Sequence, residues 1–138
     1  MPSVTVILPT WNRAEWLETA IESVLTQTFR DYELIVVDDA STDSTAEIFE
    51  RYSGKIRCII LTKNRGVSAA RNAAVLKSDS EWIAFLDSDD YWHPEKLQKQ
   101  IEQTKIRQGF PIHFTDEIWI RNGIRVNPKK KHQKREGW

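Results

Sequence analysis

Asp87-Ser88-Asp89-Asp90 sets three carboxylates within four residues. Such a cluster repels itself, and a divalent cation is one way to neutralise it; solvating a loop and capping the helix after Pro94 is the other. Carboxylate oxygens are hard ligands suited to Mg²⁺ or Mn²⁺, ions that keep positions open for water and phosphate oxygens. A cation there would hold a diphosphate and stabilise the charge it gains on leaving. Asp38-Asp39 is a second acidic pair, with Ser41, Asp43 and Ser44 behind it as candidate caps of the next helix. Either acid, turned into a crevice, would accept a hydrogen bond from a base N–H or a ribose hydroxyl. Trp11 follows Pro9-Thr10, where its ring could stack on a base or fill a core. Arg65 and Arg71, with the amides that open a helix near Gly66, would form a phosphate-binding corner, though a single helix arginine is more often merely solvated.

These residues share a place in the pattern of elements. Val4 to Leu8 is a β-branched apolar run halted by Pro9, which predicts a strand buried on both faces. Leu17, Ala20, Ile21, Val24 and Leu25 form an apolar stripe at helical spacing over Ala14 to Gln27. Glu33 to Asp38, with its apolar run Leu34 to Val37, is a second buried strand, and Ser44 with Glu47 has capping-box spacing for a helix reaching Tyr52. Arg57 to Leu61 and Trp82 to Leu86 read as further strands. A helix opened by Gly66 lies between them, its Ala69, Ala70, Ala73 and Ala74 suited to close packing on a sheet. His93-Pro94-Glu95 starts a fourth helix. Repeated βα units predict an open α/β fold with a mostly parallel sheet, right-handed crossovers and helices on both faces. Ligands of such sheets bind beyond the carboxyl ends of the strands, where all the acidic and aromatic candidates fall. After Gly109 the rhythm changes: Ile112 to Ile120 and Ile124 to Val126 flank Arg121-Asn122-Gly123, predicting a C-terminal antiparallel hairpin.

The bulk properties narrow the class. A chain of 138 residues with 40% hydrophobic content can bury a core, and 20 basic against 20 acidic side chains leave no overall field for nucleic acid or an anionic membrane. Cys58 is the single cysteine, which rules out an internal disulfide framework and fits a reducing cytosol; its apolar run, Ile56 to Leu61, predicts a buried thiol. No signal peptide or membrane-length apolar stretch is visible, so a cytoplasmic protein, at most peripheral to a membrane, is expected.

Four runs in order, Val6-Ile7-Leu8-Pro9-Thr10-Trp11-Asn12, Leu34 to Asp43, Asn64 to Asn72 and Phe85 to Asp90, resemble the family 2 glycosyltransferases of the GT-A fold. The resemblance implies an inverting transferase that moves a sugar from a nucleotide-diphosphate donor, UDP-linked by preference, to an acceptor hydroxyl on a saccharide or lipid-linked acceptor, with Mn²⁺ or Mg²⁺ as cofactor. It implies a nucleotide-sugar site of Pro9, Thr10, Trp11, Asn12, Arg13, Asp38, Asp39, Asn64, Gly66, Arg71, Asp87 and Ser88. Within it, Thr10, Trp11 and Asp39 look like the uracil-binding residues and Arg71 like the diphosphate-side or ribose-side arginine. Asp87 and Asp89 look like the D-x-D pair, Asp89 being the direct metal ligand, with Asp90 as an extra acid of the metal set.

The implied organisation is a nucleotide-sugar-binding domain over residues 1–110, a β-hairpin extension of the same domain over 111–128 and a basic, flexible tail over 129–138. The tail would touch an anionic lipid-linked acceptor or close over the donor. Family members continue into an acceptor half with a general-base aspartate, so the resemblance implies a truncated chain. Asp116 and Glu117, on the late strand, read as exposed hairpin polars rather than as that base. An exposed sheet edge predicts self-association. The alternative is a nucleotide-sugar-binding module without catalysis. A phosphoacceptor receiver domain needs its acid pair after the first strand, and a dinucleotide-binding dehydrogenase needs a glycine-rich first turn; Pro9-Thr10-Trp11 supplies neither.

Overall fold

A computed structural model of the chain describes residues 1–106, 109 and 111–126. The basic run over 129–138 and the last two positions of the predicted hairpin extension, 127 and 128, lie outside the described residues. The chain divides into two compact units, Met1–Lys99 and a second that begins at Gln100.

The first unit carries strands β1 (Val4–Thr10), β2 (Tyr32–Asp38), β3 (Arg57–Ile60) and β4 (Trp82–Phe85), all parallel, in the spatial order β3-β2-β1-β4. Between them run helices α1 (Ala14–Leu25), α2 (Thr45–Arg51) and α3 (Val67–Val75). The strand order fixes where these helices lie. From β1 to β3 the chain steps one way across the sheet, and from β3 to β4 it steps back over β2 and β1. Right-handed crossovers therefore put α1 and α2 on one face and α3 on the other, with the switch between β1 and β4. The packing agrees. Ile7, Ile35 and Val37 are fully buried with Ala70 and Ala74 of α3, whose small side chains let the helix close on β1 and β2. Val6, Leu8, Leu34 and Val36 alternate onto the opposite face and are also buried, as are Leu17, Ala20, Ile21 and Val24 of α1. Tyr52 joins α1 to α2 by donating to Glu22 at 2.7 Å and Glu18 at 3.2 Å.

Several local expectations change. β1 runs through Pro9 to Thr10 rather than halting at the proline. Odd-numbered residues of β1 bond toward β4, since Ile7 O accepts from Leu86 N, while Thr10 O accepts from Asp39 N after β2. The missing N–H of Pro9 therefore faces β4 where its ladder has already ended, at the Ile7–Phe85 pair. Ser44 makes no side-chain cap; Asp43 takes that role, accepting from Thr45 N at 3.1 Å and Thr45 Oγ1 at 2.6 Å. Cys58 is exposed, because β3 is an edge strand; partial burial and then the Asp38 carboxylate push its thiol pKa up.

Helix α4 (Lys96–Ile106) crosses from the first unit into the second. In the second unit β5 (Trp119–Arg121) pairs antiparallel with β6 (Ile124–Val126). Asn122 and Gly123 both have positive φ, 51° and 75°, the primed turn that an Asn-Gly pair favours. The first strand is much shorter than the predicted Ile112 to Ile120. The polar run Thr115-Asp116-Glu117, in the irregular stretch before β5, gives a two-stranded ribbon little to bury. Among the described residues no helix is long and apolar enough to cross a membrane.

Candidate functional site

Hydrogen bonds tie all four strand tips together at the carboxyl edge of the sheet. The tips of β1 and β2 are laced by polar side chains. Asn12, at φ 49°, donates its amide to Ser41 Oγ at 2.9 Å, while its Oδ1 accepts from Thr42 N at 2.7 Å. Asp43 Oδ2 accepts from Ala14 N at 2.9 Å and so also anchors the start of α1. Burial pushes the Asp43 carboxyl up, but the hydrogen bonds from Thr45 and Ala14 outweigh it and hold the group below its usual range.

The tips of β2 and β3 meet through Asp39. It is only 3% exposed, and its two oxygens accept from Arg65 N at 2.8 Å and Gly66 N at 2.7 Å. Two of the amides expected to bind phosphate are thus already engaged by a carboxylate. Each Asp39 oxygen retains a further lone pair, held in a fixed direction by those bonds. Gly66 has φ 87°, and a Cβ there would meet nothing within 4 Å, so the residue is needed for backbone conformation rather than for space. Asp38, also buried, accepts from Ser41 N at 2.9 Å and closes its own turn, in which Ala40 takes φ 64°.

The fourth tip is reached from α3. Arg71 is not a solvated helix arginine: its Nη2 donates to Asp87 Oδ1 at 2.6 Å, and its Cζ lies 5.2 Å from the centroid of the Phe85 ring. Its Nε is buried without a partner, as is Thr10 Oγ1 at the tip of β1. Each orphan costs about 1–3 kcal/mol while unpaired. Buried polar atoms of this kind are what an oxygen-rich ligand in the crevice would satisfy.

The remaining predicted residues take simpler positions. Trp11 is 52% exposed, leaving its ring available for stacking. Arg13 and Asn64 are exposed, and Ser88 is buried. Asp89 is exposed with no side-chain partner among the described residues, and the loop turns through a bond from Asp90 N to Asp87 O at 3.0 Å.

Among the described residues no three His, Cys, Asp or Glu side chains gather closely enough to enclose a metal ion. Asp87, Asp89 and Asp90 thus form no ready-made cage. The donor set does fit an ion held by one or two carboxylates, waters and ligand phosphates, which is the usual manner of Mg²⁺. Asp89 would be the open ligand and Asp87, half exposed beside Arg71, the second.

Sequence reasoning missed two contributors. Gln27 is fully buried. Its Nε2 donates to His93 O at 2.8 Å and to Ser23 O at 3.0 Å, and its Oε1 accepts from Leu97 N at 3.0 Å. It pins the segment after the acidic tip to the end of α1. Phe85, 47% exposed under the Arg71 guanidinium, is the other. Gln27 closes the segment predicted as the first helix and Phe85 opens the fourth of the quoted runs, but neither position carries a local sign of its contact.

Fold and site together define a doubly wound, GT-A-type α/β domain with an acidic tip beside its switch point. The chain matches the profile of the glycosyl transferase family 2 over residues 5–129, and it belongs to that family. It is 41% identical over 104 residues to TuaG of Bacillus subtilis strain 168, named for teichuronic acid biosynthesis; the match takes in 73% of the chain and 41% of TuaG. It is 33% identical over 132 residues to the Escherichia coli UDP-Glc:alpha-D-GlcNAc-diphosphoundecaprenol beta-1,3-glucosyltransferase WfaP, covering 93% of the chain and 53% of that protein. The chain therefore spans about half or less of these relatives' length. Among solved structures it resembles Staphylococcus aureus TarS 1-349 in complex with UDP-GlcNAc, with TM-score 0.70 and 33% identity over 75% of the chain and 31% of TarS. It also resembles the mannosyltransferase PcManGT from Pyrobaculum calidifontis in complex with GDP-Man and Mn²⁺, with TM-score 0.67 and 29% identity over 75% of the chain and 32% of that structure.

Proposed function

We propose that the chain is the donor-binding part of an inverting, metal-dependent glycosyltransferase that takes a nucleotide-diphosphate sugar, UDP-linked by preference, and passes the sugar to an acceptor hydroxyl. The observation that carries this reading is the meeting of four polar strand tips, at which Thr10 and Arg71 keep buried polar atoms without partners, Arg71 beside the exposed carboxylate of Asp87. UDP-GlcNAc in TarS and the UDP-Glc of WfaP's name support a uridine donor, and Mn²⁺ with GDP-Man in PcManGT supports a cation.

In this reading Trp11 stacks on the base and Thr10 and Asp39 offer it hydrogen-bonding groups. Pro9, Asn12 and Arg13 shape the near wall, Asp38 faces the ribose, and Asn64 and Gly66 form the turn beneath it. Arg71 faces the diphosphate with Ser88 behind it, and Asp87, Asp89 and Asp90 make the cation edge. A divalent cation bound there would neutralise the diphosphate as it leaves. Inversion also requires a general base within hydrogen-bond reach of the acceptor hydroxyl, and no described side chain is assigned that role. A saccharide or lipid-linked acceptor and contact with a membrane surface are consistent with the diphosphoundecaprenol substrate in WfaP's name.

Titration calorimetry with UDP, UDP-sugars and GDP-sugars, with and without Mn²⁺, tests the reading. Uridine diphosphates should bind measurably only with the cation, Asp89→Ala should remove that dependence, and Ser88→Ala should change little. Equal affinity with and without Mn²⁺ would refute the cation edge, and failure of every nucleotide to bind would refute the donor site. Donor hydrolysis or sugar transfer by the chain itself separates an enzyme from a binding module.

A further inference from the structure

Arg71 is bound to the wrong partner for a phosphate-binding arginine: its Nη2 is on Asp87, 2.6 Å away, while its Nε is buried with no acceptor. The contact is single-pronged, one nitrogen to one oxygen, although a guanidinium is a planar fork best satisfied by two acceptor oxygens at once. Phe85 holds the plane of that fork from below, 5.2 Å from its carbon. A diphosphate offers the several oxygens that would take both Nε and Nη2. Asp87 in turn is half exposed and is the acid of the tip that Arg71 neutralises, whereas Asp89 has no side-chain partner among the described residues.

We infer that Arg71 is a positioning residue that latches Asp87, so that the acidic tip accepts a divalent cation together with a nucleotide diphosphate rather than ahead of it. The inference rests on the nucleotide-and-cation reading above. Arg71 and Asp87 each have a second suitor, phosphate for one and cation for the other. Exchanging both together leaves every charge compensated, but exchanging one alone strands either a carboxylate or a guanidinium. Each ligand must therefore raise the affinity for the other, by the same factor in both directions. Without Arg71 the carboxylate of Asp87 is open from the start and the coupling declines.

The test is a Mn²⁺ titration of the full chain without nucleotide, read by the electron paramagnetic resonance of free Mn²⁺. Arg71→Gln should bind Mn²⁺ about fivefold more tightly than wild type, the modest factor reflecting a partly exposed, screened ion pair. Arg71→Lys, which keeps the charge but not the fork, should fall between the two. Adding Asp87→Asn to Arg71→Gln should abolish the gain. UDP affinity measured with and without Mn²⁺ should then show a coupling factor smaller in Arg71→Gln by about the same fivefold. Circular dichroism melts identify any variant that is unfolded, and Arg71→Lys then carries the comparison. Mn²⁺ affinity unchanged or weaker in the folded variants, or a gain that survives Asp87→Asn, overturns the latch. Should no uridine nucleotide bind at all, the donor reading fails, while the nucleotide-free arm still decides whether Arg71 masks Asp87.

Discussion

Three aspartates beside the crevice do three different jobs, and their surroundings decide which. Asp39 is buried and bonded to two amides, so it braces the turn into α3 and presents oriented lone pairs. Asp89, the proposed cation ligand, is exposed and unpartnered among the described residues. Asp43 is exposed but bonded to Ala14 and Thr45, and those bonds favour its ionised form. A carboxyl whose folded pKa lies below its unfolded one stabilises the fold above the unfolded pKa, and that contribution is lost as pH falls through the folded value. Asp43→Ala should therefore cost about 1 kcal/mol at pH 7, a small figure because water screens the group. The difference from wild type should shrink as pH drops below the ordinary aspartate range, around pH 4. Urea unfolding at pH 7 and pH 3 measures it, and a difference that grows toward pH 3 would show that Asp43 is not stabilised as a carboxylate.

Between elements, the segment that follows the acidic tip is pinned by one residue just beyond α1. Gln27 lies two residues past the end of α1, yet its amide fixes both His93 O and Leu97 N, the entry to α4 just after the tip. Thr28 N reinforces this by donating to Pro94 O at 2.9 Å. Truncating Gln27 to alanine leaves a buried N–H and a buried carbonyl short of partners, so Gln27→Ala should lose roughly 3 kcal/mol and melt roughly 10 °C lower. A melt within about 2 °C of wild type would mean that water substitutes for the amide. This link also shows what the sequence made legible. Apolar runs located the strands, an apolar stripe located the first helix, and cap, glycine and proline signals located the others. Polar tips after buried strands located the crevice, because all these signals are local in the chain. The bonds that tune the site join Asn12 to Thr42, Asp39 to Gly66, Arg71 to Asp87 and Gln27 to Leu97. Each spans 16 to 70 residues, so only the folded topology brings the partners together. Pro9 and Ser44 misled for the same reason, since the side on which a strand residue bonds and the choice between two neighbouring caps are settled by packing.

At the scale of the molecule, charge and exposed edge act in the same direction. Twenty basic and twenty acidic side chains give no net charge at pH 7, so copies of the chain lack the mutual repulsion that keeps many proteins apart. β3 is an edge strand of the parallel sheet, and Ile60 stands 65% exposed on it near the exposed Cys58. An unpaired strand edge with an apolar side chain invites pairing with another copy. Concentration-dependent self-association is therefore expected near pH 7. It should weaken when the pH moves away from the sequence pI of about 6.8, as net charge builds up. Light scattering under reducing conditions separates strand pairing from oxidation at Cys58. Ile60→Lys should lower the weight-average mass at a given concentration while leaving the melting temperature within a degree or two, since an exposed side chain contributes little to the core. A monodisperse monomer for the unmodified chain at high concentration would show that β3 is already protected.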